Sequence, residues 1–163
     1  MNLRKLYFLR AAFSVLWAIL VSVFDKADPV LFVLYPVWDV FATWLDIKAK
    51  PSTPQYVNMV IGILTTIGVA LALQKGVPGA LVVFGLWAII TGLIQLILGL
   101  RRRRELNGQW PMIISGGQSM LAGTAFILMA HSPTMGIKSL AGYAVFGAFY
   151  YLVAAIRLTY RHE

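Results

Sequence analysis

Six long apolar runs, separated by breaks of a few residues, constrain this chain more than any motif does. They cover about residues 7–24, 30–47, 56–73, 79–100, 110–130 and 136–160. Each is close to the roughly 20 residues that an α-helix needs to cross about 30 Å of hydrocarbon. A membrane β-barrel would instead show alternating segments of about 10 residues, and none occur. The breaks carry turn chemistry: Asp25 to Pro29, Lys50 to Pro54, Gln74 to Pro78, Asn107-Gly108 and His131 to Gly136. Only 12% of the residues are charged and 60% are hydrophobic, whereas a soluble domain carries roughly twice that charged fraction. The bilayer is therefore the expected solvent. The pattern predicts an all-α integral membrane six-helix bundle, with residues 1–163 forming one transmembrane domain. The opening Met1 to Lys5 plus an apolar run has the outline of a signal peptide. No small-x-small cleavage site precedes Asp25, so it is expected to remain as the first span.

The net charge of +8 would suit a nucleic-acid partner, but the basic residues sit at the ends of the apolar runs, where they set topology. With both termini cytoplasmic, one side collects Arg4, Lys5, Arg10, Lys48, Lys50, Arg101–Arg104, Arg157 and Arg161. The other side keeps Lys26, Lys75 and Lys138. Tyr7, Trp44, Tyr56, Trp110 and Tyr160 fall near the inner ends as an interfacial belt. The expected location is a bacterial cytoplasmic membrane, with no nucleic-acid partner. The four arginines Arg101, Arg102, Arg103 and Arg104 suit anionic phospholipid head groups, worth about 1 kcal/mol per basic residue, and equally a topological stop signal.

Matching positions recur along the chain. Trp38, Trp87 and Phe146 are each preceded three residues earlier by an aromatic: Tyr35, Phe84 and Tyr143. Each is followed by an acidic or small residue: Asp39, Ala88 and Gly147. Ala18, Gly68 and Gly123 lie at corresponding places in the partner helices. The unit reads as a helical hairpin repeated three times in one orientation.

Polar residues inside the runs mark the candidate site. Tyr35, Asp39, Thr43 and Asp46 recur at spacings that bring them within about 80° on one face of a helix. Pro36 in the same run removes a helical hydrogen bond and favours a kink. Asp39 lies near the bilayer midplane, where a charge costs about 3 kcal/mol, and no Lys or Arg is expected at its depth in the other spans. Either it is neutral and donates a hydrogen bond, or it faces a wet cavity. Thr43, Thr65, Thr66, Thr91, Gln118 and Ser119 are its candidate partners. With Gln95 added, the expected intramembrane polar site is Asp39, Thr43, Gln95 and Gln118. If the repeated slots converge, Asp39 points into the bundle. Asp46, nearer the basic side, is expected to form a structural ion pair with Arg157 or Arg10, or else to act as an inner gate. Ser115, Ser119 and Gly123, Ala88 and Gly92, and Gly62, Thr66 and Ala70 form small-residue faces for close helix packing.

The segment Phe84 to Gln95, Arg101–Arg104, Asn107-Gly-Gln-Trp110, Ser115-Gly-Gly-Gln-Ser119 and Leu121-Ala-Gly123 resembles the HdeD-like membrane proteins. That resemblance covers mainly spans three to six. It implies a six-helix inner-membrane protein and, from the founding members, a role in acid resistance. Asp39 and Asp46 in the first hairpin depart from that pattern. Several chemistries find no support. There is no cysteine, and no Gly-x-x-x-x-Gly-Lys phosphate loop. His131 and His162 lie far apart and outside the spans, which suits neither a metal site nor haem. No Ser-His-Asp set falls at one depth. The expectation is a non-enzymatic protein without metal or cofactor, acting in acid or envelope stress through a proton-responsive Asp39. Two alternatives stand beside it. One is a small oligomeric transporter or channel for protons or small cations; the other is a structural subunit of a larger membrane complex.

Overall fold

The computed structural model describes residues 2–24 and 28–158. Six helices make up its regular structure: α1 (Leu3–Val23), α2 (Asp28–Ala49), α3 (Thr53–Leu73), α4 (Val77–Arg102), α5 (Trp110–Leu128) and α6 (Ile137–Arg157). All six are long and apolar enough to cross a membrane. They overlap the six apolar runs: α1 to α4 begin earlier than the runs, α2 and α4 also end later, and α5 and α6 end sooner. Lys26, Tyr160, Arg161 and His162, which bear on the topology and metal arguments, lie outside the described residues.

The boundaries follow from local chemistry. The Asn2 side chain caps α1 by accepting a hydrogen bond from the Arg4 amide at 2.7 Å. α3, α4 and α5 each open with a proline in the first two positions, where its missing N–H costs nothing. The α4–α5 turn uses Gly108 at φ +75°. A Cβ there would lie 2.6 Å from the Arg157 carbonyl carbon, so α6 ends against a backbone that only glycine fits. α2 runs unbroken through Pro36.

The helices form a ring in chain order, each packing on its sequence neighbours, and α6 closes the ring onto α1. The α4–α5 and α1–α6 seams are the closest; α1–α2 and α5–α6 are the sparsest. Glycines explain the tightest seam. A Cβ on Gly85 would sit 2.6 Å from the Gly123 carbonyl oxygen, and one on Gly92 would sit 2.7 Å from that of Gly116. The closest approach thus follows a seven-residue spacing, Gly85–Gly92–Gly99 against Gly116–Gly123. The four-residue spacing expected from the sequence contributes through Ser119, which donates to the Ala88 carbonyl at 3.0 Å. Gly62 does serve close packing, against Val40 of α2.

The two ends of the ring differ. One end gathers the starts of α1, α3 and α5 with the finishes of α2, α4 and α6, and holds most of the basic residues; we call it the basic end. The opposite, apolar end is filled by one continuous core that includes Trp17, Val21, Phe32, Leu81, Phe84, Phe126 and Leu140. Phe84 sits at its centre, edge-on to Trp87, Phe126 and Tyr143 at 4.9, 6.1 and 5.9 Å. Trp17 donates its indole N–H to the Leu31 carbonyl at 2.9 Å, so this end contains few unmet polar groups.

Candidate functional site

Below that core lies a cavity of about 350 Å³ bordered by side chains from all six helices. The face predicted on α2 lines it: Tyr35, Asp39, Thr43 and Asp46 all border the space. Asp39 stands about 15 Å along the helix from either end of α2. A carboxylate at that depth needs partners, and it has two. Arg10 Nη1 donates to Asp39 Oδ1 at 2.6 Å, and Asn58 Nδ2 donates to Asp39 Oδ2 at 3.0 Å. The side chains of Arg10 and Asp39 are only 12% and 13% exposed.

The network spreads from this pair. Arg10 Nη2 donates to Thr43 Oγ1 at 3.1 Å, and Asn58 also donates to Thr43 at 2.8 Å. Arg10 Nη1 donates to the Tyr151 hydroxyl at 3.2 Å, and Tyr151 donates onward to Gln95 Oε1 at 3.4 Å. Gln95 Nε2 donates to the Met112 carbonyl at 3.1 Å. Every helix of the ring is therefore tied to one polar cluster. Pairing plus satisfied hydrogen bonds is what allows charge to persist in a poor solvent.

A second ion pair lies one or two turns closer to the basic end. Arg102 Nη2 donates to both oxygens of Asp46 at 2.9 Å. Its Nη1 donates to the Tyr7 hydroxyl at 3.3 Å, and Tyr7 donates to Gln109 Oε1 at 3.4 Å. Both side chains of the pair are 10% exposed.

These contacts change several expectations. Arg10 does reach Asp39: it starts two turns inside α1, and its long stem carries the guanidinium further. Asp46 pairs with neither Arg157 nor Arg10. Arg157 lies exposed on α6, Arg10 is committed to Asp39, and Arg102 fills the role. Arg102 consequently leaves the head-group set. Successive helical residues rotate by about 100°, so one arginine of the run turns inward while Arg101, Arg103 and Arg104 stay exposed. Arg103 rests over the Trp110 ring, 5.6 Å from its centroid.

Of the candidate partners for Asp39, only Thr43 joins its cluster. Thr66 and Thr91 bond the carbonyls of Gly62 and Trp87 in their own helices. Ser119 bonds Ala88 and Tyr143. Gln95 joins through Tyr151. Gln118 borders the cavity but is exposed at its edge. Asn58 and Tyr151 were missed, although an amide inside the third apolar run was a readable signal. Tyr151, one of many aromatics, carried none.

Two donors bordering the cavity have no acceptor within reach among the described residues: Trp87 Nε1 and Gln55 Nε2. They belong to residues that are 4% and 1% exposed. Gln55 Oε1 is already occupied by the Ser52 hydroxyl at 2.7 Å. The charged residues bordering the space are Arg10, Asp39, Asp46 and Arg102, two of each sign and paired. Its other walls are largely aromatic. No His, Cys, Asp or Glu cluster fit for a metal occurs among the described residues. Such a site can bind and orient a neutral or zwitterionic molecule. No protein-family model matches this chain, and no curated protein or solved structure matches it.

Proposed function

We propose that this chain is a small, non-enzymatic carrier of the bacterial cytoplasmic membrane, with a solute site at the Arg10–Asp39 pair and both termini in the cytoplasm. The observation that carries this reading is the cavity of about 350 Å³ inside the ring, bordered by that pair. Pockets of roughly this size take small molecules. Intramembrane ionisable residues facing a cavity are the usual mark of a substrate or ion path. The positive-inside rule supports placing the basic end in the cytoplasm.

Unequal barriers support a carrier over a static scaffold. Toward the apolar end the cavity is closed by several layers of side chains. Toward the basic end it is bordered by Tyr7 and the Arg102–Asp46 pair, a single layer of polar contacts that would serve as a gate. The expected hairpin repeat fits the same picture. Tyr35 and Tyr143 flank Phe84 at 6.0 and 5.9 Å, and Trp38, Trp87 and Phe146 all border the cavity. Repeats packed around a midplane site are a common carrier plan.

The chain has no cysteine, so one introduced thiol reports unambiguously. With Ser115→Cys on the cavity wall, a membrane-impermeant methanethiosulfonate added at the basic end should react slowly. Adding Asp46→Ala should speed the reaction by about tenfold. An unchanged rate in folded protein removes the gate, and the carrier reading with it.

The HdeD-like resemblance adds an acid-tolerance reading, favoured by one contact set. Both oxygens of Asp39 accept from donors, Arg10 and Asn58. A proton on that carboxylate would leave Arg10 facing the cavity without its counter-ion. Proton flux into proteoliposomes at acid and neutral pH should then be lost in Asp39→Asn. Equal flux in both proteins would reject this reading.

A further inference from the structure

We propose that the cavity opens sideways into the bilayer between α5 and α6, and that its ligand is an uncharged or zwitterionic amphipathic molecule bearing hydrogen-bond acceptors, taken from the lipid phase. This rests on the reading of the cavity as a ligand site and specifies what enters and from where.

The route follows from exposure. Three residues that border the cavity are exposed on the outer surface of the ring: Gln118, Leu121 and Phe146. Leu121 is 74% and Phe146 is 64% exposed. All three lie near the middle of α5 or α6, at hydrocarbon depth and far from either aqueous end. They flank one of the two sparsest seams of the ring. The other sparse seam, α1–α2, is filled by the stacked rings of Phe13 and Trp38 at 4.3 Å and by the Arg10–Asp39 pair. At α5–α6 there is room instead. Gly147 borders the cavity, and a Cβ built on it meets nothing within 4 Å. Gln118 at this rim is a polar amide at the depth of the acyl chains, where it is costly unless it serves a passing or bound polar group.

The ligand class follows from the lining. A net charge is disfavoured because the two ion pairs leave no uncompensated charge to meet it. Trp87 Nε1 and Gln55 Nε2 are buried donors that need acceptors, which calls for carbonyl, ether or hydroxyl oxygens on the ligand. Aromatic walls such as Tyr35, Trp87 and Tyr143 suit an apolar or planar body.

The test again uses Ser115→Cys as the sole thiol in proteoliposomes. A lipid-soluble pyrenyl maleimide should label it faster than the impermeant methanethiosulfonate does from either side. Adding Gly147→Trp should slow maleimide labelling by about tenfold or more. Gly142→Trp is the matched control. Its Cβ also meets open space, but it does not border the cavity, so labelling should be unchanged. If Gly147→Trp leaves the maleimide rate unaltered, or only the impermeant reagent reacts from the basic end, the lateral route is overturned while the carrier reading stands. If neither reagent reacts in folded protein that labels fully once denatured, both are overturned.

Discussion

The two ends of the ring solve the problem of a membrane interior in opposite ways. The apolar end closes by shape. Phe84, Trp87, Phe126 and Tyr143 meet edge to face, and Trp17 finds a backbone acceptor. From the middle of the ring to the basic end, closure is by charge. Two largely buried ion pairs and a chain of hydrogen bonds hold helices that leave a cavity between them. In lipid no hydrophobic force drives helices together, so association relies on packing and polar contacts. One end of this bundle uses mostly the first, the other mostly the second. The difference implies that the basic end can rearrange by exchanging partners, while the apolar end cannot move without losing contacts on every side.

Mutations sharpen this contrast, beginning with the largest expected effect. Arg10→Ala leaves the Asp39 carboxylate buried with only Asn58 as donor. It should cost about 3–5 kcal/mol, read as a loss of unfolding free energy in mild detergent. Arg10→Met with Asp39→Asn should recover most of that loss. If the single change is silent, the basic end is not held by charge. At the other end Phe84→Ala should cost about 2–3 kcal/mol through lost packing alone. Its effect should be indifferent to salt and to any charge change at Asp39, so a double-mutant cycle with Asp39→Asn should give no coupling beyond about 0.5 kcal/mol. Strong coupling there would mean that the two ends act as one unit.

Gly92→Val tests the seam that joins both ends. Its Cβ would lie 2.7 Å from the Gly116 carbonyl oxygen and 2.9 Å from Ser119 Cβ. A loss of about 1–3 kcal/mol is expected from overpacking, measurable as earlier thermal unfolding. The smallest effect should come from Lys50→Ala. The Lys50–Glu105 pair is 59% and 63% exposed, so less than about 0.5 kcal/mol should be lost. A larger loss would show that the α2–α3 and α4–α5 turns are docked more firmly than an exposed pair allows.

Much of the fold was legible because the bilayer makes it so. Backbone groups in hydrocarbon must bond within their own segment, and a helix of fixed rise then converts apolar length into a span. The spans, their breaks and the inward face of α2 all follow from this local rule. The Asp39 site was half legible. Its carboxylate stands out in an apolar run, and Thr43 follows from helical spacing. Arg10 was assigned by its backbone depth, which ignores the reach of its stem. Asn58 was passed over, although Thr65 and Thr66 of the same run were named as candidates.

What the sequence determined by itself was the number of helices and, to within about a turn, where each lies along the chain. These depend on neighbours along the chain. The tertiary structure decided that the helices close into a ring, that Asp46 takes Arg102 and Asp39 takes Arg10, and that glycines seven apart set the tightest seam. It also decided that a cavity bordered by all six helices remains inside the ring. Those outcomes depend on which faces meet after the helices pack. Several pairings satisfy the same composition, and only the geometry of the closed ring selects among them.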